Sequence, residues 1–168
     1  MKVYLIRHAD AISFETDVVQ SDEFRFLTPE GRLTANTVFH GLKDELRDLR
    51  LIYSSPLIRA VQTAEILASR LVFPSEAEIN VELKNELSTD TTIAKIIGLL
   101  ENTGHDEVCC VGHEPTMGKL MFHLTGQNIT NTGFKKAAVC KINFDVENVK
   151  GELEWYFDPD EMNFIYEF

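Results

Sequence analysis

Residues 2–9, KVYLIRHA, decide the fold of this chain. Their continuous apolar run is typical of a strand that is buried on both faces of a parallel sheet, and it leads directly into Arg7 and His8. A second run, Val108 to Val111, leads in the same way toward His113. In open α/β sheets, ligands bind outside the carboxyl ends of the strands. Both imidazoles and the Arg7 guanidinium are therefore expected to converge on one small anion.

Strand and helix patterns alternate along the rest of the sequence. Further strands are expected at 51–54, 78–83, 137–144 and 152–157. Amphipathic helices are expected after the turn formers Thr28-Pro29, Ser55-Pro56, Ser88-Thr89 and Pro115. This order predicts one α/β domain over residues 1–168. It is a three-layer sandwich with a mainly parallel central sheet, helices on both faces and an antiparallel edge.

Composition and charge restrict the class of partner. The 168 residues are 44% hydrophobic and 26% charged, which suits a single globular domain. The formal net charge of −11 argues against binding to nucleic acid or to an anionic membrane surface, because an acidic surface repels phosphate groups. A phosphate site in this protein must therefore be a local positive pocket.

Cysteine placement and hydropathy indicate the compartment. Cys109 and Cys110 are neighbours in a predicted strand and point to opposite faces, and Cys140 lies in another strand. A disulfide framework is not expected, so a reducing cytoplasm is the predicted location. The sequence has no leader pattern and no run of about 18 apolar residues. We expect a protein that is not in a membrane.

Arginine and histidine side chains suggest the chemistry. Arg59 falls in the first turn of a predicted helix, near a strand end, as Arg7 does. Two guanidinium forks and nearby helix N-termini favour phosphate over carboxylate. One histidine would attack phosphorus and the other, when protonated, would neutralise charge on the phosphoryl oxygens, with no metal or cofactor needed. Physical reasoning alone leaves open which histidine attacks.

Residues 10–26 have no clear period and many acids. They are predicted to be a long loop, and a loop of this length is a candidate lid. The acids from Asp10 to Glu23 are expected to form a solvated face, with the steering of basic partners as the alternative interpretation.

Three motifs resemble those of the histidine phosphatase (phosphoglycerate-mutase-like) superfamily. Its Arg-His-Gly signature is similar to Arg7-His8-Ala9, its second arginine matches Arg59 in SSPLIRAVQTA, and its second histidine matches His113. The short chain is most similar to the SixA-type phosphohistidine phosphatases. The resemblance implies that His8 is the nucleophile and that Arg7, Arg59 and His113 hold the phosphoryl group. It also implies a phosphohistidine-bearing protein as the partner.

The sequence departs from the superfamily pattern at two points. Ala9 stands where the signature has glycine. The general acid that mutases and phosphomonoesterases use is unassigned, with Glu82, Glu86 and Glu114 as candidates. Glu86 is the best positional match, while Glu114 follows His113 as the acid does in the phytase-like branch. A phosphoramidate leaves as an imidazole, which is a weaker base than an alkoxide and needs less help from an acid.

Two other functions remain open at this stage. One is a small-molecule phosphomonoesterase, which would need one of these carboxyl groups beside the leaving oxygen. The other is a phosphate-binding or docking module without turnover. Mutase activity is less expected, because the sequence offers no further basic residues to hold a second anionic group.

Overall fold

The computed structural model describes residues 1–14, 18–71, 78–129 and 133–168. Strands in these ranges are β1 (Lys2–Arg7), β2 (Leu51–Ser54), β3 (Asn80–Leu83), β4 (Glu107–Gly112), β5 (Val139–Asp145), β6 (Lys150–Asp158) and β7 (Asn163–Ile165). The α-helices there are α1 (Pro29–Gly41), α2 (Ile58–Arg70), α3 (Ile93–Glu101) and α4 (Thr116–Thr125). Short 3-10 helices lie at Asp22–Phe24 and Asn85–Leu87.

All of these strands belong to one sheet, in the order β3-β2-β4-β1-β5-β6-β7. The pairs β3-β2, β2-β4 and β4-β1 are parallel, while β5, β6 and β7 add an antiparallel edge. The fold class predicted from the sequence is therefore confirmed.

Helices cover both faces of the sheet. Successive residues of β1 alternate between two cores, so Tyr4 packs with α1 and α2, while Leu5 packs with α3 and α4. Cys109 and Cys110 divide between the same two cores, and both thiols are free, as predicted. Within the described residues, none of the helices has the length and apolar character needed to span a bilayer.

Turn-forming residues predicted the start of α1 correctly and the start of α2 only approximately. Thr28 caps α1 as predicted, because its hydroxyl oxygen accepts the Gly31 N–H at 2.9 Å and Pro29 is the first helical residue. The helix expected directly after Pro56 begins two residues later, because the Ser55 hydroxyl accepts the Leu57 N–H and forms a turn first.

Two other elements differ from the sequence prediction. The helix expected after Ser88 begins only at Ile93, because the Thr91 hydroxyl donates to the Glu86 carbonyl at 2.8 Å and Thr92 becomes the N-cap residue. The short strand β7 was not predicted. It is held by aromatic packing, with the Phe164 ring centroid 5.3 Å from that of Trp155 and 5.1 Å from that of Phe157.

Candidate active site

The ends of β1, β2 and β4 bring the two predicted histidines together. Arg7 pairs with Gly112 in the sheet, so His8 and His113 leave neighbouring strands at the same level. Their ring centroids are 5.0 Å apart and both side chains are buried. Arg59 reaches the same point from the first turn of α2, with its Nε atom 3.3 Å from Nε2 of His8.

The backbone sets the tautomer of His8. Its Nδ1 atom is 2.7 Å from the Ala9 carbonyl oxygen, which can only accept a hydrogen bond, so Nδ1 carries the hydrogen. Nε2 therefore presents its lone pair and accepts the Arg59 Nε–H. Burial lowers the pKa of His8 to about 4, and the charges of Arg59 and Arg7 act in the same direction. His8 is thus a neutral imidazole with one unprotonated nitrogen at neutral pH.

His113 is held by a hydroxyl group. Its Nε2 atom is 2.8 Å from Oγ of Ser55, while its Nδ1 atom is buried and has no hydrogen-bond partner in the described part of the chain. Burial is the main reason that the pKa of His113 is lowered to about 3, and the neighbouring His8 and Arg59 also lower it. A dianion bound beside this ring would raise the pKa again, because it favours the charged imidazolium.

Asp22 occupies the guanidinium fork of Arg59. The Nη1 and Nη2 atoms of Arg59 each donate at 2.8 Å, to the Asp22 carbonyl and to its carboxylate. Arg25 donates to the same carboxylate at 3.0 Å. Partial burial by itself raises the pKa of Asp22, but the hydrogen bonds from Arg25 and Arg59 outweigh it and hold the pKa below its ordinary value. Asp22 is exposed, as expected for the acids of this loop, but its pairing with two arginines was not predicted.

Arg7 lies at the end of β1, beside the histidines. Its Nη1 atom donates to the Phe134 carbonyl at 2.8 Å, and its Nε atom is buried without a partner among the described residues. Arg7 also lines a depression that is open to solvent, together with Lys135, Lys136 and Asp160. No role for these lysines was predicted from the sequence. Both are already paired with acids: Lys135 with Asp158 and Asp160, and Lys136 with Asp10.

The three candidate acids lie in different environments. Glu82 is on the edge strand β3 and pairs with Lys84 at 2.8 Å. Glu86 lies in the 3-10 turn and lines a surface groove with Lys95. Both carboxylate oxygens of Glu114 accept backbone N–H groups, from Phe134 at 2.7 Å and from Gly118 at 2.9 Å.

Sequence reasoning missed three residues that shape the site, namely Ser55, Thr63 and Asp22. The Thr63 hydroxyl accepts the Ala9 N–H at 3.1 Å and donates to the Arg59 carbonyl at 2.7 Å, so it ties α2 to the residue after His8. The i, i+4 spacing of Arg59 and Thr63 was a usable signal for this contact. Asp22 had no such signal, because it lies among other acids in a segment without periodicity.

Fold and site together define an α/β enzyme architecture with a histidine pair at the carboxyl edge of the sheet. The model of the histidine phosphatase superfamily (branch 1) matches residues 3–87. The chain belongs to this superfamily and is an enzyme of the histidine phosphatase class. The resemblance seen in the three motifs is thereby confirmed.

Several relatives cover nearly the whole chain. Phosphohistidine phosphatase SixA of Escherichia coli (strain K12) is 29% identical over 159 residues, which span 95% of this chain and 94% of that protein. The structure of the protein histidine phosphatase SixA complexed with tungstate superposes with a TM-score of 0.82 at 26% identity, over 97% of this chain and 100% of that one. The putative SixA from Agrobacterium tumefaciens shares the fold, with a TM-score of 0.79 at 23% identity, over 94% and 97% of the two chains.

Proposed function

We propose that this protein is a phosphatase that works through a phospho-His8 intermediate, needs no metal or other cofactor, and acts on phosphohistidine in a partner protein. One observation carries the proposal. The Ala9 carbonyl fixes the hydrogen on Nδ1 of His8, and this leaves the Nε2 lone pair next to the Arg59 guanidinium. A neutral imidazole with one free nitrogen, among cationic donors, is equipped to attack phosphorus.

In the first step, Nε2 of His8 forms a bond to phosphorus while the P–N bond of the substrate breaks. The leaving imidazole takes up a proton from solvent. Arg7 and Arg59 hold the phosphoryl oxygens as negative charge spreads over them in a loose transition state. The bound dianion raises the pKa of His113, and the protonated ring adds a third positive group.

In the second step, a water molecule attacks the phosphoryl group on His8. The new P–O bond forms as the bond from phosphorus to Nε2 breaks, and the water gives its proton to solvent. Inorganic phosphate leaves and His8 returns to the neutral form with a free lone pair. The cycle consumes one water for each phosphoryl group.

The leaving group and the open site favour phosphohistidine as the substrate. Glu82 is engaged by Lys84 and Glu114 by backbone N–H groups, and Glu86 lines a groove to which neither histidine contributes. An imidazole leaving group suits a site without a dedicated acid. Arg7 lines a depression that is open to solvent; the buried His8 and His113 do not line it, but it gives a folded partner access to the Arg7 side of the site. The name of the Escherichia coli relative agrees with this substrate.

The test compares turnover of a phosphohistidine peptide with that of p-nitrophenyl phosphate in the wild-type protein, His8→Ala and His105→Ala. His105 is exposed and serves as the control. We expect His8→Ala to lose turnover by at least about 10³-fold and to lose acid-labile labelling from a phosphorylated substrate. His105→Ala keeps both. Persistence of turnover or labelling in His8→Ala contradicts the proposed intermediate.

The other two functions are separated by the same assay. Ester turnover that exceeds peptide turnover, and that collapses in Glu86→Gln, would establish a phosphomonoesterase with Glu86 as its acid. A wild-type protein that binds a phosphohistidine peptide without turnover, with affinity unchanged in His8→Ala, would establish a docking module.

A further inference from the structure

Glu114 bridges two segments that meet beside the histidine pair. It follows His113 directly in the sequence. Its Oε2 atom accepts the Gly118 N–H in the first turn of α4 at 2.9 Å, and its Oε1 atom accepts the Phe134 N–H at 2.7 Å. One carboxylate thus joins the segment that carries His113 to the segment that precedes β5.

Phe134 in turn contacts Arg7. The Phe134 carbonyl accepts the Nη1–H of Arg7 at 2.8 Å. The Phe134 ring is fully buried and packs edge-on against Tyr156, with the ring centroids 5.2 Å apart. The position of this carbonyl is therefore set by Glu114 on the N–H side of the residue and by the core on the ring side.

Two glycines make room for the carboxylate. A Cβ atom at Gly118 would lie 3.0 Å from Oε1 of Glu114, and a Cβ atom at Gly133 would lie 3.1 Å from the same oxygen. Both separations are tighter than ordinary van der Waals contact. The chain therefore leaves space around Glu114 on both of the segments that it joins.

The hydrogen bonds also account for the position of Glu114. Each of its two oxygens accepts one backbone N–H, so the side chain holds two backbone segments together. A proton donor to a leaving group is not needed to explain why it lies there.

We propose that Glu114 is a positioning residue that aims Arg7 at the phosphoryl group through Phe134. With Nη1 of Arg7 fixed on the Phe134 carbonyl, the Nε and Nη2 edge of the guanidinium remains for two phosphoryl oxygens. The Nε atom is buried without a partner in the described residues, as expected for a donor that waits for a ligand. The inference rests on the proposed function, because it assumes that Arg7 binds the phosphoryl group.

The test is a double-substitution cycle with Glu114→Gln and Arg7→Lys. Glutamine keeps the shape of Glu114 but turns an NH₂ group toward one of the two N–H donors. We expect Glu114→Gln to weaken orthovanadate binding and to lower kcat/KM by about tenfold, because a misplaced binding group costs rate. In the Arg7→Lys background, which lacks the guanidinium fork, the same change should cost less than about twofold. Glu101→Gln, at an exposed glutamate at the end of α3, is the matched control and should change neither quantity.

Each alternative gives a different result. If the loss is as large in the Arg7→Lys background as in the wild type, Glu114 does not act through Arg7 and the inference fails. If the loss is much greater for a phosphate ester with an alkoxide leaving group than for p-nitrophenyl phosphate, Glu114 is a general acid and the inference fails. An unchanged Glu114→Gln protein also overturns it.

Gly118→Ala supplies a second variant should Glu114→Gln not fold. Alanine is favourable within a helix, and the added Cβ only displaces the carboxylate. We expect Gly118→Ala to lose less vanadate affinity than Glu114→Gln, and we expect this loss to disappear in the Arg7→Lys background. If the effects of Gly118→Ala and Arg7→Lys simply add, the inference is contradicted. Vanadate binding does not depend on turnover. A failure of the proposed function would appear as activity in His8→Ala, whereas a failure of this inference would appear in the vanadate affinities.

Discussion

At the residue scale, the Ala9 carbonyl determines what His8 can do. It accepts the Nδ1 hydrogen, so the ring has one defined free nitrogen before any substrate binds. The convergence of His8, His113 and Arg59 followed from the order of strands and helices in the sequence. Their tautomers and hydroxyl partners did not, because Ser55 and Thr63 become recognisable only when α2 is placed against the strand ends.

Asp22 is the residue whose effect on phosphate binding is most directly testable. Its carboxylate holds the Arg59 fork that the proposed mechanism assigns to the phosphoryl group, so the two anions compete. Asp22→Asn removes the charge and keeps the shape. We expect the inhibition constant for inorganic phosphate to fall by up to about fivefold, the size of a partly exposed ion pair. Asp44→Asn, an exposed acid beyond the end of α1, is the control and should leave the constant unchanged. Weaker phosphate binding in Asp22→Asn would mean that Asp22 supports Arg59 instead of competing for it.

At the element scale, parallel pairing of β1 with β4 makes the site, and the start of α1 anchors the loop that reaches it. In the anchor, the Asp10 carbonyl accepts the Thr28 N–H at 3.0 Å, so the two ends of the loop are joined at the start of α1.

Strands with continuous apolar runs, such as β1 and β4, were predictable because burial on both faces requires apolar residues at every position. The edge strand β7 was not, because it is short and its stability comes from rings brought near by distant parts of the chain.

Gly31 in α1 is required by the close approach of this loop. A Cβ atom there would lie 2.1 Å from the Asp10 carbonyl oxygen and 2.9 Å from its carbon, and both are backbone atoms that cannot rotate away. Gly41, at the end of the same helix, has nothing within 4 Å of an added Cβ. We expect Gly31→Ala to lower the free energy of unfolding by about 2–3 kcal/mol, as overpacking does, and Gly41→Ala to leave it unchanged or slightly raised. Urea denaturation of the two variants checks this. Equal stability of the two would show that the loop can move away from α1 without cost.

At the scale of the whole molecule, the net charge is −11, yet the positive groups of the site lie together at one edge of the sheet. Arg7 and Arg59 stand there beside two imidazoles that burial keeps neutral. This arrangement keeps the site positive in a negative protein, which suits a small anion and disfavours long polyanions. The same burial should also make the stability of the protein depend on pH.

The two neutral histidines should lower stability as the pH falls. The pKa is about 4 for His8 and about 3 for His113 in the folded protein, and both are below the ordinary histidine value of 6.5. Between pH 6.5 and about 4 the unfolded chain binds protons that the folded chain does not, so stability drops in that window. Each imidazole contributes a slope of at most about 1.4 kcal/mol per pH unit.

Urea unfolding at pH 7 and pH 5 measures this effect in the wild type, His113→Gln and His105→Gln. We expect the wild type and His105→Gln to lose the same stability between the two pH values, because His105 is exposed. His113→Gln should lose less, because glutamine takes up no proton in the unfolded chain. Changes in overall charge repulsion are common to the three proteins and cancel in the comparison. If His113→Gln loses as much stability as the wild type, the fold does not hold His113 neutral. The ring would then already be charged before an anion binds, and the proposed protonation on binding would be wrong.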